Sequence, residues 1–154
     1  MHKSLIVAGN FNMTNSKRLF NDLVEIGQHP KEMTDTVTVM EKIGHFLEDE
    51  VSDTYKKAKE AGFNKKETSP FIEEHLDIQR ILKRSSKNWD GGYAMAGLLG
   101  QGDAFVLRDP SGIRPASCPH LLHLYSALLV CKLYSGWGMK GCVLTIHSLI
   151  DSWW

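Results

Sequence analysis

Apolar positions recur along the first two thirds of the chain with periods that alternate between strand and helix. Residues 4–8 form a short apolar run that predicts a buried strand. Leu19, Phe20, Leu23, Val24 and Ile26 then fall on one helical face, with Asn15 and Ser16 available as caps. Gly27 and Pro30 supply the end of that helix. A second helix is predicted from Thr34 or Asp35 through Val37, Met40, Ile43, Leu47 and Val51. Residues 52–66 are mostly polar, with Gly62 as a break, and read as a surface excursion. Ser69 and Pro70 start a third helix, whose buried side is Phe71, Ile72, Leu76, Ile78, Ile81 and Leu82 and which runs to Lys83 or Arg84. After the turn-forming SSKNWDGG, strands are predicted over 93–99 and 104–107, joined by a tight GQGD connection. Strand, helices and paired strands together predict an α+β fold.

The pattern changes near Ala116. Of all the Lys, Arg, Asp and Glu residues, only Lys132, Lys140 and Asp151 lie beyond it, whereas all three cysteines and three of the four tryptophans do. Two segments are therefore expected: residues 1–116, and an apolar tail, 117–154, with a helix over 121–134 and a strand over Val143–Ile146. The tail's apolar stretch is interrupted by His123, Ser126 and Lys132 and falls short of the roughly 20 residues that span a bilayer. No membrane partner is expected.

With 154 residues, 42% hydrophobic and 23% charged, the chain has the balance of one globular domain. Eighteen basic residues offset eighteen acidic ones, so no field of one sign would gather nucleic acid. The opening apolar run is too short for a signal peptide, and three cysteines cannot all pair, which together predict a cytoplasmic protein.

Little of the remaining chemistry stands out from the residues alone. Cys118, His120, His123, Cys131, Cys142 and His147 match no paired-ligand spacing, so no metal site is expected. Glu48, Asp49, Glu50, Glu73 and Glu74 read as solvated helix faces. The glycines of 97–103 lack the lysine and helix of a phosphate loop. Residues Gly9 to Asn15, placed where the first strand gives way to a helix, could aim amide donors at a developing oxyanion or could simply cap a turn.

Three blocks, in order, resemble the glutaminase domain of the amidophosphoribosyltransferases, which are class II glutamine amidotransferases. SLIVAGNFNMTN is similar to the family's strand and HNGNLTN-like turn. Thr34, Asp35 and Thr36 resemble its SDT block. GGYAMAGLLGQGDAFVLRDPSGIRPA resembles its GAYS strand and RDPxGIRPL signature, with Arg108, Asp109, Pro110, Gly112, Ile113, Arg114 and Pro115 all fitting.

The resemblance implies a partial N-terminal nucleophile (Ntn) hydrolase-type arrangement, αββα layers, over residues 1–116, followed by an unrelated tail. It implies glutamine as ligand, Asn10 and the backbone amide of Phe11 as an oxyanion hole, and Asp35 as the group that binds the substrate's α-amino nitrogen. Gly9 stands at the family's histidine position and Phe11 at its glycine. Family members hydrolyse glutamine with an N-terminal cysteine and pass the ammonia to phosphoribosyl pyrophosphate in a second, magnesium-using domain. No cysteine precedes Cys118 here, and neither the arginine block nor the pyrophosphate motif occurs. The expectation is a glutaminase fragment, without a cofactor of its own and inactive alone. A rival expectation is a non-catalytic scaffold that self-associates through the tail.

Overall fold

The computed structural model describes residues 2–114, together with the backbone of 130–132 and 143–146. The fold is α+β. Its strands are β1 (Leu5–Met13), β2 (Gly91–Leu99), β3 (Ala104–Arg108), β4 (Val130–Lys132) and β5 (Val143–Ile146). Its helices, all between β1 and β2, are α1 (Ser16–Glu25), α2 (Asp35–Glu60), α3 (Lys65–His75) and α4 (Ile78–Ser85). The strands form one antiparallel sheet in the order β1-β2-β3-β5-β4.

The predicted β2 and β3 are present, each slightly longer than expected. Leu99 N–H donates to Asp103 O at 2.8 Å and Gly102, at φ +102°, closes the GQGD turn. β5 lies where the tail's strand was expected. The tail helix expected over 121–134 is replaced at Val130–Lys132 by a strand, because those residues find a ladder on β5. The rest of that expected helix lies outside the described residues.

Several boundaries differ from the sequence expectation for physical reasons. β1 does not stop at residue 8 but continues through Asn10 and Phe11 to Met13, each paired in register with 91–94 of β2. Gly and Asn are poor strand formers, yet the ladder overrides that preference. Asn15 makes no side-chain cap for α1; its amide donates to Asn88 O and accepts from Asp90 N–H, tying the end of β1 to the turn before β2. The α1 face narrows to Leu19 and Leu23, with Val24 and Ile26 exposed.

Thr34 caps α2 as expected, but the helix runs to Glu60, taking in most of the supposed excursion. Its one apolar stripe continues through Val51, Thr54 and Ala58, so burial carries a polar stretch into the helix. Met40, expected inside, is 37% exposed. α3 starts at Asn64 rather than at Pro70, because Asn64 and Glu67 form a reciprocal capping box. Leu76 and Asp77 break the expected single helix, and Asp77 caps α4 by accepting from Arg80 N–H at 2.9 Å. Glu50, read as solvated, is buried, with one oxygen 3.3 Å from Arg80; Asp49 pairs with Arg84 at 3.2 Å.

The helices pack on one face of the sheet. Leu19, Val39, Ile43, Leu47, Ile72, Ile78, Ile81 and Leu82 meet Met13, Tyr93, Met95, Leu99, Phe105 and Leu107 in one core, with Trp89 edge-on to Tyr93. On the opposite face Ile6 is 66% and Leu98 46% exposed. No described helix is long and apolar enough to cross a membrane.

Candidate functional site

Two structures surround the sequence-nominated residues: the open edge of β1, and the loop that follows β3. At the edge, parity decides which main-chain groups are free. Thr14 N–H donates to Asp90 O, and Gly100 N–H to Ser4 O, each at 2.9 Å. Both bonds join residues that are directly opposite in the continuous β1–β2 register. Hydrogen-bonded and non-bonded pairs alternate in an antiparallel ladder, so even-numbered β1 residues face β2. Leu5, Val7, Gly9, Phe11 and Met13 therefore turn their N–H and C=O groups to the edge, where no further strand lies among the described residues.

Met13 N–H does not stay free: it donates to Asp35 Oδ2 at 2.8 Å. Asp35, half-buried at the first position of α2, also accepts from the Ser16 hydroxyl through Oδ1. The carboxylate thus clamps the end of β1 to the starts of α1 and α2. Each carboxylate oxygen carries two acceptor sites, so one site on each remains for a further donor. Ser16, read only as a cap, is the residue that sequence reasoning missed here; no periodicity links positions 16 and 35.

Of the two nominated oxyanion donors, Phe11 presents its backbone N–H to the open edge, two residues before Met13. At 3.3–3.4 Å of rise per residue this sets it about 7 Å from Met13 N–H along the same edge. Asn10 is exposed on the sheet face away from the helices, level with Ala94 and Arg108. The chain brings Asn10, Phe11 and Asp35 to one end of one strand edge. Gly9 lies beneath the Phe11 ring: a Cβ built on it would stand 2.8 Å from Phe11 Cζ and 2.6 Å from Ala94 O.

The signature residues do something different. Asp109 is 2% exposed, and its carboxylate collects three backbone donors: Ile113 N–H at 2.7 Å on Oδ2, with Arg114 N–H at 3.0 Å and Tyr93 N–H at 3.3 Å on Oδ1. Burial by itself would raise its pKa, but the Arg114, Ile113 and Tyr93 amides and the charge of Arg108 outweigh it and hold the carboxyl below its ordinary value. Burial, reinforced by Asp109, pushes the Tyr93 phenol up to about 12. Arg108 Nη2 donates to Gly112 O at 2.8 Å, and Gly112 sits at φ +67°, where a Cβ would come 2.7 Å from that same nitrogen. Arg108, Asp109 and Gly112 therefore brace a turn, and Arg114 is held in it through its backbone. Phe11 and Tyr93 are register partners, so the braced loop and the open edge flank the same end of β2.

Among the described residues no group of His, Cys, Asp and Glu could hold a metal ion. The side chains of Cys118, His120, His123, Cys131, Cys142 and His147 lie outside what is described.

No family model matches the chain, and no curated protein matches it. Among solved structures it is similar to glutamine phosphoribosylpyrophosphate (PRPP) amidotransferase from B. subtilis complexed with ADP and GMP, with 18% identity over 92% of this chain and a TM-score of 0.47. The match spans about a fifth, 21%, of that protein's length.

Proposed function

We propose that the chain is part of a glutaminase domain of the amidophosphoribosyltransferase type, with Ntn-like descent, and that it binds glutamine along the open edge of β1. One observation carries this reading: Phe11 N–H, unpartnered among the described residues, lies on the same strand edge as Met13 N–H, about 7 Å away by strand rise, and Met13 N–H is held by the Asp35 carboxylate. An extended glutamine separates its α-amino nitrogen from its side-chain carbonyl oxygen by about 6 Å. Asp35 would accept from the ammonium through its remaining lone pairs, and Phe11 N–H, aided by the Asn10 amide, would donate to the side-chain carbonyl.

Titration calorimetry with L-glutamine tests this. Saturable binding is expected, weakened about tenfold or more in Asp35→Asn, since a charge-assisted contact to the ammonium contributes on the order of 1.5–3 kcal/mol. D-glutamine and glutarate should fail to compete. Equal affinity in Asp35→Asn, or no binding by a folded parent protein, would rule the reading out.

A further inference from the structure

We propose that Ser16 is a positioning residue: its hydroxyl turns the Asp35 carboxylate away from its own helix and holds it at the β1 edge for an α-ammonium group. The inference rests on the reading of that edge as a glutamine site. Asp35 is the first residue of α2, next to the Thr34 cap. The first-turn amides of a helix have no partner within it, and a carboxylate placed there is ordinarily drawn toward them. Thr34 Oγ1 accepts from Val37 N–H at 3.3 Å, but neither Asp35 oxygen takes a first-turn amide among the described residues. Oδ2 accepts instead from Met13 N–H at 2.8 Å, and Oδ1 from the Ser16 hydroxyl. The carboxylate is therefore held by two other elements, the end of β1 and the start of α1.

The two tethers do different work. Met13 is fixed in register with Gly91, so its N–H has one direction. Alone, that single bond to Oδ2 would leave the carboxylate free to rotate, and Oδ1 could swing to the unpaired amides of α2. The Ser16 hydroxyl removes that freedom. It has one hydrogen to give: Met13 O lies 3.1 Å away, but Asp35 Oδ1 is nearer, and an ionised acceptor makes the stronger bond. Ser16 is half-buried at the first position of α1, where the helix fixes its backbone. With one donor on each oxygen, the remaining acceptor site on each is set in place before a ligand arrives. An ammonium, which carries several donors, then binds without the entropic cost of ordering the carboxylate.

Titration calorimetry with L-glutamine on the full chain reads the role, with residue-resolved amide exchange at Met13 as the ligand-free measurement. Ser16→Ala should weaken binding about fivefold or more, through the loss of one hydrogen bond to a charged group. Ser16→Thr keeps the hydroxyl and should stay within about twofold of the parent. In an Asp35→Asn background, adding Ser16→Ala should change the affinity less than about twofold, because no anion is left to position. Without ligand, the Met13 amide should exchange faster in Ser16→Ala, measured against the amides of β2. Ser16→Cys, a weaker donor of similar volume, replaces the alanine variant if that one fails to fold. Undiminished binding in Ser16→Ala, a threonine variant as weak as the alanine one, losses at 16 and 35 that multiply, or an unmoved Met13 amide would each overturn the positioning role and leave the glutamine site standing. A folded parent that binds no glutamine would remove the site itself, and this proposal with it.

Discussion

Asp109→Ala is expected to destabilise the protein by about 3 kcal/mol, lowering the melting temperature by roughly 10 °C. The side chain is 2% exposed and gathers the N–H groups of Tyr93, Ile113 and Arg114. Truncation strands all three, one of them on a buried strand, while the loop's other brace, Arg108 to Gly112 O, loses the anion beside it. Desolvated donors without acceptors cost about 1–3 kcal/mol each, less whatever water recovers for the two nearer the surface. Asp109→Asn keeps an acceptor oxygen and should lose about half as much. Urea denaturation measures both, and an Asp109→Ala variant as stable as the parent would show that the loop's amides find other partners.

The same carboxylate fixes a direction with pH. Its folded pKa lies below the unfolded value of about 3.9, so its contribution is complete above that value and is lost as pH falls through the folded one. The stability gap between parent and Asp109→Asn should therefore be widest near neutrality and close below about pH 4. At the other extreme Tyr93, raised to about 12, contributes fully below its unfolded pKa near 10 and loses that contribution as pH climbs toward 12. A gap that stayed constant into acid would mean that Asp109 acts through its shape and not its charge.

What could be read from the sequence depended on the range of the interaction that fixed each feature. β2, the GQGD turn and β3 were legible because alternation and turn glycines are local, and Thr34 announced α2 for the same reason. The length of β1 was not legible, because Gly9, Asn10 and Asn12 are extended only through partners 80 or more positions later, such as Met95 opposite Gly9. Glu50 looked solvated since nothing near it in sequence shows that Arg80 and the α4 face cover it. Ser69–Pro70 misled because a stronger start, the Asn64–Glu67 box, lies one turn earlier. At the candidate site, the amides of Gly9 to Asn15, Asn10 and Phe11 among them, stood out by their place at a strand end, whereas their separate roles and the choice of Asp35 came only through family resemblance. Which amides point to the open edge follows from two long-range bonds, Ser4 to Gly100 and Thr14 to Asp90, that no pattern along the chain encodes.

Gly97→Ala should cost about 2–3 kcal/mol, through space alone. Gly97 lies on the core face of β2 directly opposite Phe105, and a Cβ built there would stand 2.2 Å from Phe105 Cζ and 2.4 Å from Cε1. Phe105 is fully buried in the cluster, so its ring cannot swing to solvent and must displace its neighbours. If the clash is the cause, shortening the ring should relieve it. Phe105→Leu alone loses about 1.5 kcal/mol of burial, and Gly97→Ala added to it should cost under about 1 kcal/mol more, a coupling that a double-mutant cycle in urea would read directly. Gly44, in the middle of α2, has nothing within 4 Å of a built Cβ; there the same substitution should stabilise by up to about 1 kcal/mol, because only the helix preference for alanine is in play. Additive losses at 97 and 105 would mean that the glycine serves the backbone of β2 itself, and the ring would be a bystander.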